Sequence, residues 1–239
     1  MTESELNLIA RSYFAIEIQR LGRPILGKQQ GQASRDRRKE VLTRSGVSSL
    51  VIDSLCDQSR GQNVAVVCFY FDFAVQKEQS STGMLGALLK QVVGGLEEVP
   101  EGIAQAYEEQ KRFIGGRGLH LTDIEKMLQA ISSKKLTFIC IDALDECIAG
   151  YRIKVLDSLD QILQKSPGAR IFLTGRPYIQ AEIEKRLSER ATTLSVTPRR
   201  GDIVRCLCSR LGEDTTLDAM DSTLEADILR KVPEDISEM

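Results

Sequence analysis

Short unbroken apolar runs alternate along this chain with stretches in which apolar positions recur every three or four residues. The run 64–71 (VAVVCFYF) is rich in β-branched and aromatic residues and predicts a strand covered on both faces. Residues 136–141 (LTFICI), ending on Asp142, predict a second buried strand, 169–173 a third and 192–196 a short fourth. Helical periodicity fills the intervals: 47–56, 81–96, 101–113 with a break near Pro100, and 122–131 with Thr122 as N-cap. It continues over 151–164, from Pro177 through Leu187, from Pro198 through Leu211, and over roughly 217–231. At the start, Leu6, Ile9, Tyr13 and Ile16 stand at helical spacing, so 3–21 predict an amphipathic helix.

Strands alternating with helices imply an α/β class: a parallel sheet, right-handed crossovers, and helices on both faces. Residues 22–46 break the pattern, with Gly22, Pro24, Gly27, Gly31, Gly46 and the charged run Arg35–Glu40, which is loop composition. The domain organisation expected is a helix over 1–22, an irregular region over 23–46, an α/β core over 47–197, and a helical extension over 198–239. That extension is strongly acidic and reads as the start of a helical subdomain cut off at Met239.

Composition narrows the chemistry. The 239 residues are 42% hydrophobic and 28% charged, which suits a packed globular core and excludes collagen-like, disordered and disulfide-scaffold classes. The formal net charge of -2 gives no global reason to expect a nucleic-acid or anionic-membrane partner. An aromatic share of 5% without a basic stripe argues against a nucleic-acid motor. The single histidine, His120, excludes mechanisms that need a histidine pair; it lies between two leucines, and no G-x-S-x-G string is present, which argues against Ser-His-Asp machinery. The cysteines form no CxxC pair, and Cys206 and Cys208 fall two apart on a predicted helix, where they face apart. They read as buried reduced thiols of a cytoplasmic protein. The longest apolar run is far short of the roughly 18–20 residues that span a membrane.

The informative segment is 136–147, LTFICIDALDEC. A buried strand delivers Asp142 to its carboxyl end, where open α/β sheets bind their ligands. One carboxylate there can hold a hydrated Mg²⁺ that bridges nucleotide phosphates. A second, three or four residues on, can orient or deprotonate a water, which makes Asp145 and Glu146 candidates. The competing reading is an acidic cap for the helix near Tyr151. After the next helix, a strand ends in Thr174-Gly175-Arg176-Pro177, and an arginine at that tip can reach a terminal phosphate.

IDALDEC, FLTGRPY, FYFDF with the following GALLKQVV, and TPRRGDIVRCL together resemble the NACHT domain of STAND-class P-loop NTPases. The similarity is greatest to the fungal nephrocystin-like N-terminal form, over roughly 45–235. The resemblance implies a P-loop NTPase-like fold, ATP or GTP bound with Mg²⁺, slow hydrolysis, and a signalling switch that drives self-association. By position it makes Asp142 the metal-side acid of a Walker B strand, Asp145 and Glu146 the water-activating candidates, and Arg176 the sensor.

The chain departs from that family where phosphates should be cradled. No GxxxxGK[ST] string exists. Residues 25–34 (ILGKQQGQAS) resemble a strand end and glycine loop, with Gly27, Lys28 and Gly31 as candidate phosphate contacts and Gln32 where the lysine belongs. Residues 45–50 (SGVSSL) resemble the opening of the P-loop helix, with Gly46, Ser48 and Ser49 as candidates, again without the lysine. Losing one charge-assisted phosphate contact costs about 1.5–3 kcal/mol, roughly 10- to 150-fold in affinity. Two readings stay open: a degenerate but nucleotide-binding switch, and a pseudo-NTPase that keeps the fold as a protein-interaction module.

Overall fold

Each apolar run anticipated as a strand is one in the computed structural model, which describes residues 13–19, 44–111, 118–187, 191–196, 200–213 and 222–237. The order is β1 (Tyr13–Gln19), α1 (Arg44–Ser59), β2 (Val64–Tyr70), α2 (Ser81–Gly94), α3 (Glu101–Lys111), α4 (Leu121–Lys134) and β3 (Leu136–Asp142). Then come α5 (Ala149–Lys165), β4 (Ala169–Gly175), α6 (Gln180–Leu187), β5 (Ala191–Val196), α7 (Arg200–Glu213) and α8 (Ser222–Ser237). The strands lie in the order β2-β3-β4-β1-β5. β2, β3 and β4 are mutually parallel, with Tyr70 opposite Asp142 and Ile141 opposite Leu173.

The period of two along the strands sorts the core. Val67, Phe71, Ile139, Ile141, Ile171 and Leu173 turn to one face, against Met84, Leu88, Leu128, Leu156, Leu159 and Ile183. Val66, Cys68, Phe138, Cys140 and Phe172 turn to the other, under Val51, Ile52 and Leu55 of α1. Because both faces of the parallel strands are covered, their sequences read as unbroken apolar runs. In the helical extension, Ile203 and Leu207 of α7 are buried against Ile228, Leu229 and Val232 of α8. Strand β2 lies at a sheet edge, and its outward peptide at Cys68 is closed by Gln91. That amide donates to Cys68 O at 2.8 Å and accepts from Cys68 N at 2.9 Å, which blunts the edge.

The expected α/β fold stands, with β2, β3 and β4 as its parallel strands, and some details are corrected. The N-terminal helix predicted over 3–21 is, at residues 13–19, the strand β1. Its sequence YFAIEIQ satisfies both periods, since Phe14, Ile16 and Ile18 also alternate strictly with Ala15 and Glu17. Pairing on both sides decides for the strand. The sheet is mixed rather than wholly parallel, because β1 runs antiparallel to both β4 and β5. Helix α4 begins at Leu121 with His120 as its N-cap and no side-chain cap bond, so Thr122 lies inside the helix. The expected burial of the thiols holds for Cys140 and Cys147, whereas Cys56 and Cys208 are exposed. Burial pushes the Cys140 thiol up to about 12 and the Cys147 thiol up to about 11, so both are protonated and inert near neutrality.

Candidate functional site

The carboxyl end of β3 carries the acids, and the first turns of α1 come to meet it. Ser48 Oγ donates to Asp142 Oδ1 at 2.5 Å, across 94 positions of sequence. Thr174 Oγ1, from the end of β4, donates to the same oxygen at 2.5 Å and accepts from Ala143 N at 3.2 Å. The two hydroxyls are themselves 3.5 Å apart. Asp142 is thus held by two donors from two other elements and is only 3% exposed. Bonds of this charge-assisted kind are roughly twice as strong as neutral ones.

Immediately after Asp142 the backbone turns sharply. Ala143 adopts φ 59, ψ 39, a left-handed conformation that costs a non-glycine residue about 1–2 kcal/mol. The turn lets Leu144–Glu146 form one turn of 3₁₀ helix that presents the two remaining acids in different directions. Asp145 turns inward: its side chain is 1% exposed, and Arg176 Nε lies 3.2 Å from its Oδ2, an ion pair without the alignment of a hydrogen bond. Tyr178 Oη donates to Asp145 O at 3.0 Å. Glu146 turns outward and accepts from Phe73 N at 3.0 Å, tying the acid turn to the loop after β2. Arg152 braces the arrangement from behind, donating to Cys147 O at 2.9 Å and pairing with Glu182 at 3.0 Å.

The alternative reading of these acids as a helix cap does not hold. Helix α5 begins at Ala149, its N-cap Ile148 makes no side-chain cap bond, and no acid lies in its first turn. Asp145 and Glu146 are instead spent on Arg176 and Phe73.

The structure therefore brings together Ser48, Asp142, Asp145, Glu146 and Arg176. Ser49 follows Ser48 and is exposed. Gly46 lies inside the first turn of α1, among the N–H groups that have no partner within a helix. Gly27, Lys28 and Gly31 lie outside the described residues. So does the rest of the strand end and glycine loop read at residues 25–34. The strand that sits next to β4 is β1, and its direction matters. Gln19 lies opposite Arg170 and Phe14 opposite Gly175, so β1 ends at the edge remote from Asp142. Sequence reasoning missed Thr174 as a partner of Asp142. Its signal was the same TGRP strand end that pointed to Arg176, since Thr174 follows Leu173, the register partner of Ile141, and so stands level with Asp142 on the neighbouring strand.

The donor set is hard oxygen: one carboxylate and two hydroxyls. That suits Mg²⁺, which keeps several waters and takes one or two carboxylates plus phosphate oxygens. Among the described residues, no three His, Cys, Asp or Glu side chains converge as a metal cage. Val47 occupies the place between Gly46 and Ser48 where the G-K-S string of the resembled family has its lysine.

Arg176 carries the counter-charge of a buried acid. Replacing it with methionine is expected to cost about 2 kcal/mol, below the value for fully buried pairs because the guanidinium is one-third exposed. Thermal melting measures this. Adding Asp145→Asn to Arg176→Met should recover most of the loss, and an equally unstable double variant would show that packing rather than charge was lost.

Comparison with known proteins gives one finding. A family model described as Nephrocystin 3, N-terminal, matches residues 43–176, more than half of the chain. The match runs from just before α1 through Arg176 and so contains Ser48, Asp142, Asp145, Glu146, Thr174 and Arg176. No curated protein and no solved structure matches the chain.

Proposed function

The chain belongs to the nephrocystin 3 N-terminal family, and from that premise we propose that it is a nucleotide-binding switch domain of the NACHT type, with weak affinity and little or no turnover. The observation that carries this reading is the Ser48–Asp142 bond. It couples the first turns of α1 to the acid at the end of β3, with Thr174 completing an oxygen set suited to Mg²⁺. ATP or GTP with Mg²⁺ is the ligand class. The metal, when bound, supplies charge neutralisation between phosphate oxygens. Asp142 and Ser48 hold that side of the site. Glu146, the less buried of the two following acids, is the group placed to take a proton from water once it leaves Phe73 N. Arg176 sits at the neighbouring strand tip and holds Asp145.

In this reading the switch is a signalling element that self-associates, as in the wider class. Among the described residues, no helix is long and apolar enough to cross a membrane. A second reading is favoured by Val47 and by the direction of β1: a pseudo-NTPase, an interaction module in which the acid turn serves only to brace the sheet.

Titration of the protein with a fluorescent ATP analogue and Mg²⁺ tests the first reading. Binding in the range of roughly 0.1–1 mM is expected. Val47→Lys completes the G-K-S string and should tighten binding by about 10- to 150-fold. If neither protein binds at about 1 mM nucleotide, the switch reading is rejected. Turnover that Glu146→Gln abolishes would reject the pseudo-NTPase.

A further inference from the structure

Tyr70 ends β2 beside the acid cluster and has no part in the reading above. It is the register partner of Asp142, and neighbouring strands are about 4.8 Å apart. Alternate residues Val66 and Cys68 of β2, and Phe138 and Cys140 of β3, face α1. The period of two carries Tyr70 and Asp142 to that same face, in agreement with the bond from Ser48 to Asp142. Ser49, the next residue of α1, lies beside the Tyr70 side chain. A tyrosine used only for packing would be covered, yet Tyr70 is 42% exposed. The phenol instead stands where α1, Asp142 and solvent meet.

We propose that Tyr70 is a phosphate-binding residue of this site, its hydroxyl donating to a phosphate oxygen of Mg-bound nucleotide and replacing part of the contact that the absent lysine would make. The proposal rests on the nucleotide-binding reading and deepens it. A group one strand spacing from Asp142 is within reach of phosphate oxygens that share a metal with that carboxylate. The phenol hydroxyl is a neutral donor. A neutral donor recovers less than an ammonium would, in keeping with weak binding.

Tyr70→Phe removes only the hydroxyl. With the fluorescent ATP analogue and Mg²⁺, it is expected to weaken binding about tenfold, with the melting temperature unchanged. A second variant gives a readout independent of affinity. The chain has no tryptophan, so Tyr70→Trp places a single indole at the site. Its emission should change when Mg-ATP is added, whereas that of Tyr107→Trp, on α3, should not. If the wild type binds while Tyr70→Phe stays within twofold and the indole at position 70 is silent, Tyr70 is not a ligand contact. If the wild type itself does not bind, the nucleotide reading falls and this proposal falls with it. The silent wild type makes that case distinguishable.

Discussion

Gly168→Ala is expected to lower stability by about 3 kcal/mol or more, one of the largest effects available from a single methyl group in this protein. Gly168 is in the turn between α5 and β4. A Cβ there would lie 2.4 Å from Ser132 O and 2.9 Å from Lys135 O. Both obstacles are backbone, so no rotamer change relieves them. The turn is pinned on each side: Gly168 O accepts from Thr137 N at 2.9 Å, and Ser166 Oγ donates to Gln129 O at 3.1 Å. Relief requires β4 to shift against β3. Because β4 delivers Thr174 and Arg176 to the acids of β3, that shift reaches the site. For a chain of this size, the loss corresponds to a fall in melting temperature of about 6–12 °C. Gly201→Ala is the control. Its Cβ would meet nothing within 4 Å inside α7, and the substitution should be neutral or stabilise by about 1 kcal/mol. A Gly168→Ala protein that melts within 2 °C of wild type would show the turn to be far looser than its contacts imply.

Asp142→Asn separates the charge of the acid from its place in the fold. The amide oxygen can still accept from Ser48 and Thr174, so the network that joins α1, β3 and β4 survives. Melting should move only slightly. Asp142→Ala, by contrast, leaves two hydroxyls without their acceptor at about 1–3 kcal/mol each. What the asparagine variant loses is the only charged ligand in the proposed metal set. Mg²⁺-dependent nucleotide affinity should fall about 10- to 150-fold. Titrations of the analogue with and without Mg²⁺ measure it. Should Mg²⁺ strengthen binding as much in Asp142→Asn as in wild type, the metal is not held at the end of β3.

Much of this arrangement was legible in the residues themselves. A continuous apolar run followed by Asp142 means a strand buried on both faces that ends on an acid, and β3 has that form. The parallel pairing of β2, β3 and β4 follows from helices alternating with such runs, since parallel neighbours need crossovers. Residues 13–19 were misread because seven residues can satisfy two periods at once. Only the presence of open strand neighbours on both sides settles which period is used. The split between Asp145 and Glu146 was equally illegible. They are consecutive in a DxxDE string, and nothing in their identity says which turns inward. The left-handed Ala143 decides it, with Arg176 and Phe73 as the waiting partners.

Outside residues 13–19, local sequence by itself determined the kinds of element, the face each helix buries, and the strand end at which the acids gather. Those properties depend on neighbours a few residues away, through side-chain periodicity and backbone preference. The tertiary structure alone decided that Ser48 and Thr174 share one oxygen of Asp142, that β1 enters against the direction of β4, and that Tyr70 stands opposite the acid. Each of these joins residues 30 or more positions apart, or sets the direction in which a strand is laid down. Contacts at that separation are fixed by how the layers pack, and no local pattern encodes them.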